Sequence, residues 1–170
     1  MRSKPQAPRR SLRKRSRPRS IPSAPGGGSG AARIVLDTNV VVSALLWRGT
    51  PHRLRDAIHQ RPATQLFTSA SLLEELARVL ARPFAVRRLT LIGVSARALL
   101  TDYTLAAEVV TPVAVPPVIA DDPDDDQVIA TAVAAAADLI ISGDRHLVAL
   151  GAHAGIRIVT PAEALARIGE

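Results

Sequence analysis

Apolar residues along this chain fall into two alternating patterns: short unbroken runs and longer stripes at helical spacing. RIVL (33–36) is a β-branched run of strand type, and DTNVVVSALLW follows it. Residues 50–60 (TPHRLRDAIHQ) are predicted as a helix, QLFTS (65–69) as a second strand, and ASLLEELARVLARP (70–83) as an amphipathic helix stopped by Pro83. In that helix Leu72, Leu73, Leu76, Val79 and Leu80 form the apolar stripe. Residues 84–108 are predicted as further helix with a break near Gly93, and 108–113 as holding a short strand. A helix is expected over 124–137, strands at DLIIS (138–142) and RIVT (157–160), and a last short helix at PAEALARIG. No internal repeat is visible. Strands that are apolar at nearly every position and alternate with helices require a parallel sheet covered on both faces. The expected fold is therefore a three-layer α/β/α domain around a central parallel sheet.

Upstream of Arg33 the pattern stops. Residues 1–32 are rich in Arg, Pro, Ser and Gly, the composition of a disordered tail ending in a flexible linker, so the chain divides into a tail (1–32) and a folded domain (33–170). This division changes the meaning of the charge. The net value is +7, but ten of the 22 Lys and Arg lie within residues 1–33, which hold no acid. The other 12 stand against all 15 acids, so residues 34–170 carry −3. A basic tail of this kind reads as an electrostatic arm for nucleic-acid phosphates, or as an upstream extension from a misassigned start. A transit peptide ranks third, because no amphipathic apolar face accompanies the charges. No cysteine is present, which excludes disulfides, thiolate zinc sites and a cysteine nucleophile. No apolar run approaches the roughly 18 residues of a membrane span. The expectation is a protein of the cytoplasm.

The acids carry the candidate chemistry. Sites in open parallel sheets form at the carboxyl ends of the strands. Asp37 directly follows RIVL, and Asp144 follows DLIIS after one glycine. Either alone reads as a helix or turn cap; the pair on one sheet edge favours a site. Glu74 lies opposite the leucine stripe and can pair with Arg78, whereas Glu75 lies at the stripe's border and points partly inward. DDPDDD (121–126) concentrates a third of all acids ahead of the apolar QVIATAVAAAA. A helix N-terminus favours acids by about 0.3–1 kcal/mol each, and one of Asp122 and Asp124 is expected as the N-cap, but capping does not account for five. Asp125 shares a helix face with Val128 and Ile129, and Asp126 lies nearer Ala130 and Val133. Periodicity thus ranks Asp125 only slightly above Asp126. If Asp37, Glu75, Asp125 and Asp144 converge, they form a site for a hard divalent cation, Mg²⁺ or Mn²⁺, with phosphodiester cleavage as its natural chemistry.

IVLDTNVVVSALL, SLLEELARVLARP, DPDDDQVIATAVAAAADLIISGDRHL and IVTPAEAL together resemble the PIN domain (PilT N-terminal domain) family, in the family's order from about Arg33 to Ile168. The likeness is greatest to its branch of toxins from bacterial toxin–antitoxin pairs. This resemblance implies a Mg²⁺- or Mn²⁺-dependent ribonuclease with an RNA substrate, a cognate antitoxin protein that inhibits it, and a homodimer as an option. It assigns Asp37, Glu75, Asp125 and Asp144 as the four acids, with metal on Asp37, Asp125 and Asp144 and with Asp126 and Asp122 as further ligand candidates. Thr38, Asn39 and Ser142 match supporting polar positions. Relatives often carry a further acid where this chain has His146; Arg145 or His146 could contact phosphate instead, although a surface role suits His146 better.

Two other readings compete. A haloacid-dehalogenase-type phosphohydrolase also places an Asp after its first strand, but it wants a second Asp at the position of Asn39 and a lysine, and both lysines lie in the tail. A non-catalytic nucleic-acid-binding or interaction module with a vestigial site would rest on the basic tail, yet all four acids remain. With aromatics at 2% of residues, recognition is expected to rest on RNA shape and backbone rather than on base stacking.

Overall fold

The structure, a computed structural model, describes residues 32–116 and 123–169. The tail, and Asp121 and Asp122 of the acidic cluster, lie outside the described residues. Six strands form one sheet: β1 (Arg33–Leu36), β2 (Gln65–Thr68), β3 (Ala107–Val109), β4 (Leu139–Ile141), β5 (Ala152–His153) and β6 (Ile156–Val159). Their order is β3-β2-β1-β4-β6-β5. All neighbours are parallel except β5, which pairs antiparallel with β6 at one edge. The expected parallel sheet is thus a mixed one. The two-residue β5 was not foreseen, because AH offers no apolar run and pairs through a tight turn in which Ala154 and Gly155 take positive φ.

Among the described residues eight helices cover the sheet: α1 (Thr38–Leu46), α2 (Thr50–His59), α3 (Ala70–Leu80), α4 (Pro83–Ile92), α5 (Ala96–Ala106), α6 (Pro123–Ala134), α7 (Arg145–Leu150) and α8 (Pro161–Gly169). Strand alternation sends successive residues to opposite faces. Ile34, Leu36 and Ile141 join a core with buried residues of α1–α5 and α8. Val35, Phe67, Ile140 and Ile158 join a second core with Val128, Ile129 and Ala132 of α6 and Leu147 of α7. The fold is a three-layer α/β/α arrangement. Both cores are mainly aliphatic, with Tyr103 in the first and Phe67 in the second.

Local sequence explains the breaks. Pro83 does not simply end a helix; it begins α4 at the first-turn position, where a missing N–H costs nothing. Gly93 ends α4 in the left-handed region (φ 68°), which a glycine adopts without strain. Pro123 likewise begins α6, so Asp124 falls inside the first turn and is not the N-cap. The six-residue α7 was missed; Asp144 caps it and Leu147 anchors it to the sheet. Thr160 and Glu163 form a capping box at α8, each side chain accepting from the other's backbone N–H, and α8 packs along α2.

Arg33 fastens the start of β1. Its guanidinium donates to the Ala135 carbonyl (2.9 Å) and to Gln65 (3.2 Å) and lies 4.2 Å from the ring centroid of buried Phe67. The strand order reverses direction between β1 and β4: the chain proceeds outward from β1 through β2 to β3, then returns to the other side of β1. Crevices at such switch points, beyond the strands' carboxyl ends, are where open α/β sheets bind ligands. Ile140 lies at 0% exposure in the strand that forms this switch. Ile140→Ala should cost about 2–5 kcal/mol of unfolding free energy, read as a lower urea midpoint at unchanged slope.

Candidate active site

The register Leu36↔Ile141 makes Asp37 and Ser142 the next residues beyond paired strand ends. The Asp37 backbone N–H donates to the Ile141 carbonyl (3.0 Å), which fixes the chain where it leaves β1. The Ser142 hydroxyl donates to Asp37 Oδ2 at 2.6 Å, and the Asp144 backbone N–H donates to that same hydroxyl oxygen at 2.9 Å. Asp37, Ser142 and Asp144 therefore form one hydrogen-bonded chain across the switch point. Asp37 and Ser142 are buried, and Asp144 is half-buried.

Both aspartates also cap helices. Asp37 Oδ1 accepts from the Asn39 N–H at the start of α1, a long contact of 3.4 Å. Asp144 Oδ1 accepts from the His146 N–H at the start of α7 at 2.7 Å. Capping and a functional site are thus compatible here, because a cap uses one carboxylate oxygen. Asn39 contributes its backbone N–H, while its side chain lies exposed.

Glu75 is joined to this edge by the Thr38 hydroxyl, which donates to Glu75 Oε2 at 2.9 Å. Glu74 is exposed. The expected difference between the two glutamates is therefore realised, and the two polar neighbours Thr38 and Ser142 each hold an acid.

Asp125 is 7% exposed on α6, whereas Asp126 is half-buried and lines a shallow groove with Pro112, Val113, Val115 and Ala130. The face difference read from periodicity is present. Helix α6 is tied to the start of α3: Ser71 Oγ donates to Gln127 Oε1 (3.1 Å), and Thr131 Oγ1 donates to Ser69 Oγ (2.9 Å). Sequence reasoning passed over Ser69 and Thr131. Ser69 carried a readable signal as a Ser directly before a helical stripe, and it caps α3 through the Leu72 N–H. Arg145 and His146 are exposed. The placement of Asp122 lies outside the described residues.

Burial raises the Asp37 pKa above its ordinary value. The hydrogen bond from Ser142 opposes that rise, and the nearby negative charge of Asp144 adds to it. Among the described residues no cationic side chain pairs with Asp37 or Asp144; the ion pairs join Arg55 and His52 to Asp56. Two neighbouring carboxylates, one buried and with no cation beside them, are hard oxygen donors of the kind that suit Mg²⁺ or Mn²⁺. Among the described residues, however, no three His, Asp or Glu side chains stand together as a group able to hold an ion.

A mostly parallel α/β sheet with two linked carboxylates at its switch point defines the class of protein. Within that class, the model of the PIN domain matches residues 33–146, and the chain belongs to the PIN domain family. PIN domains are generally nucleases that use divalent metal ions. No curated protein and no solved structure matches the chain. The matched stretch covers β1 through the start of α7 and so contains every candidate site residue.

A raised pKa means that folding disfavours the ionised Asp37. The folded state holds this proton more tightly than the unfolded chain does. Stability therefore falls as pH rises from the unfolded value, about 4, through the higher folded value. Asp37→Asn keeps an acceptor for Ser142 and removes the charge. It should melt on the order of 2–5 °C higher than wild type at pH 8, and the gap should close towards pH 4. A variant melting lower at pH 8 would mean that the carboxylate stabilises the fold.

Proposed function

We propose that this protein is a metal-dependent endoribonuclease that hydrolyses RNA phosphodiester bonds, acting as the toxin of a toxin–antitoxin pair. The observation that carries the reading is the Asp37–Ser142–Asp144 chain at the switch point, with no cationic partner for either acid among the described residues.

Asp37 and Asp144 would hold the ion, with Asp125 as the third carboxylate and Asp126 as an alternative. Mg²⁺ uses few protein carboxylates and keeps several waters, so Asp37 and Asp144, linked through Ser142, are the core of this assignment. A bound divalent ion supplies Lewis-acid activation of water and neutralises charge at the phosphate. Ser142 fixes the Asp37 carboxylate, and the Thr38 hydroxyl orients Glu75. Glu75 then accepts the proton of the attacking water as its oxygen bonds to phosphorus and the ribose oxygen leaves. Arg145 and His146 are exposed in the first turn of α7; Arg145 would contact a phosphate, and a surface role suits His146 better. Residues 34–170 carry a net charge of −3, so a bound cation is also what would let polyanionic RNA approach this edge.

The test is cleavage of a labelled single-stranded RNA by the full chain with Mg²⁺ or Mn²⁺. EDTA should stop cleavage and excess metal restore it. Asp37→Asn should lose it, and Ser142→Ala should lose about 10–100-fold, the usual cost of removing a group that orients a metal ligand. Asp125→Asn should be far more damaging than Asp126→Asn. Equal cleavage by wild type and Asp37→Asn would assign the activity to a contaminant and remove the reading. Growth arrest on expression of wild type but not of Asp37→Asn would support the toxin role.

A further inference from the structure

The chain has four aromatic residues, and two of them are spent on the surface. Trp47, at the end of α1, and Phe84, in the first turn of α4, are 40% and 46% exposed. Their rings stack on each other with centroids 6.0 Å apart and planes 19° from parallel. Arg48 follows Trp47, Arg82 precedes Phe84 by two, and Arg87 and Arg88 lie three and four residues beyond it on the same helix face. Arg88 bridges the two elements by donating to the Leu46 carbonyl at 2.7 Å. Among the described residues none of these four arginines is in an ion pair. No acid occurs between Asp37 and Asp56, or between Glu75 and Asp102. Within residues 34–170, whose net charge is −3, these arginines form a cluster without an ion pair around an exposed aromatic pair.

We propose that the Trp47–Phe84 pair, with its ring of arginines, is a stacking platform that holds a base of single-stranded RNA. This rests on the RNA reading given above and deepens it. Aromatic faces beside unpaired cations are what single-strand binders present, because every base has a π-face and every nucleotide a phosphate. Two-fold pairing with a second copy would set these arginines against one another with no acid to answer them. Helix geometry sets the reach: α1 runs from Asp37 to Trp47, ten residues at 1.5 Å, or roughly 15 Å. At about 3.4 Å per stacked nucleotide that is some four nucleotides. The platform would therefore grip the same strand that the carboxylates cut, a few nucleotides away.

Trp47 is the chain's single tryptophan, so its fluorescence reports the platform and is silent about the arginine-rich tail. The experiment titrates full-length Asp37→Asn protein in EDTA with a short single-stranded RNA and, in parallel, an RNA duplex of equal length. Single-stranded RNA should quench Trp47 and the duplex should not. Adding Phe84→Ala should weaken the binding read by this quench roughly 5- to 100-fold. Adding Arg87→Gln should reduce the slope of log affinity against log salt by about 0.7. Trp47→Phe should retain most of the cleavage that Trp47→Ala loses in the otherwise wild-type chain. RNA cleavage with no Trp47 quench and no effect of Trp47→Ala would overturn the platform and leave the nuclease reading standing. Quenching without metal-dependent cleavage would do the reverse. Altered oligomeric state in Trp47→Ala and Phe84→Ala, with unchanged RNA affinity, would make the patch a protein interface and also overturn the proposal.

Discussion

The 2.6 Å hydrogen bond from Ser142 to Asp37 is the constraint on which the site depends. It joins the carboxyl ends of two parallel strands at the point where the sheet reverses its order. Ser142 can make it because its neighbour Ile141 is paired with Leu36, and its hydroxyl oxygen then accepts from the Asp144 backbone. One side chain thus fixes the positions of two acids contributed by strands far apart in sequence. The cost falls on Asp37, a buried carboxyl beside a like charge, with no cation against it among the described residues. A helix cap needs no such burden. Serine or asparagine in place of Asp37 would cap α1 equally well without a buried charge. Capping alone therefore does not account for a buried carboxylate at this position.

Most of the architecture was legible because the two periodicities are distinct. Runs such as RIVL and LII have no polar side and fit only a strand buried on both faces, while the leucine stripe of α3 fits only a helix. What escaped notice was short. The strand β5 and helix α7 are two and six residues long, and each is held by tertiary contact, through its pairing with β6 and through Leu147 respectively. Proline was readable as a boundary but ambiguous in sense. Pro83 and Pro123 both open helices, and only the second boundary placed Asp124 inside α6 instead of at its cap.

The acids were legible by position more than by chemistry. Asp37 and Asp144 were visible because each follows a strand, and Glu75 because it borders a stripe. Their hydrogen bonds to Ser142 and Thr38 depend on sheet register and helix packing, which no local window contains. For the same reason the link between α3 and α6 through Ser69 and Thr131, 62 residues apart, left no trace in periodicity. Composition gave the number of aromatics but not their placement: Trp47 and Phe84 lie at the surface rather than in the core.

The distribution of charge gives these local features a common sense. Between Glu75 and Asp102 the chain carries five arginines and no acid, while the acids after β1 and β4 meet at the sheet's switch point. An enzyme that acts on a polyanion through bound cations faces opposed needs: acids to hold the metal and bases to hold the substrate. Intermixed, the two sets would neutralise each other as salt bridges. Helix α1 separates them, with Asp37 at its amino end, where the helix dipole favours negative charge, and Trp47 and Arg48 beyond its carboxyl end. The span of α1 keeps Arg48 roughly 15 Å from Asp37, beyond a Debye length of about 8 Å at physiological salt. On the function proposed above, each set keeps its charge for an external partner, metal at one end and phosphate at the other.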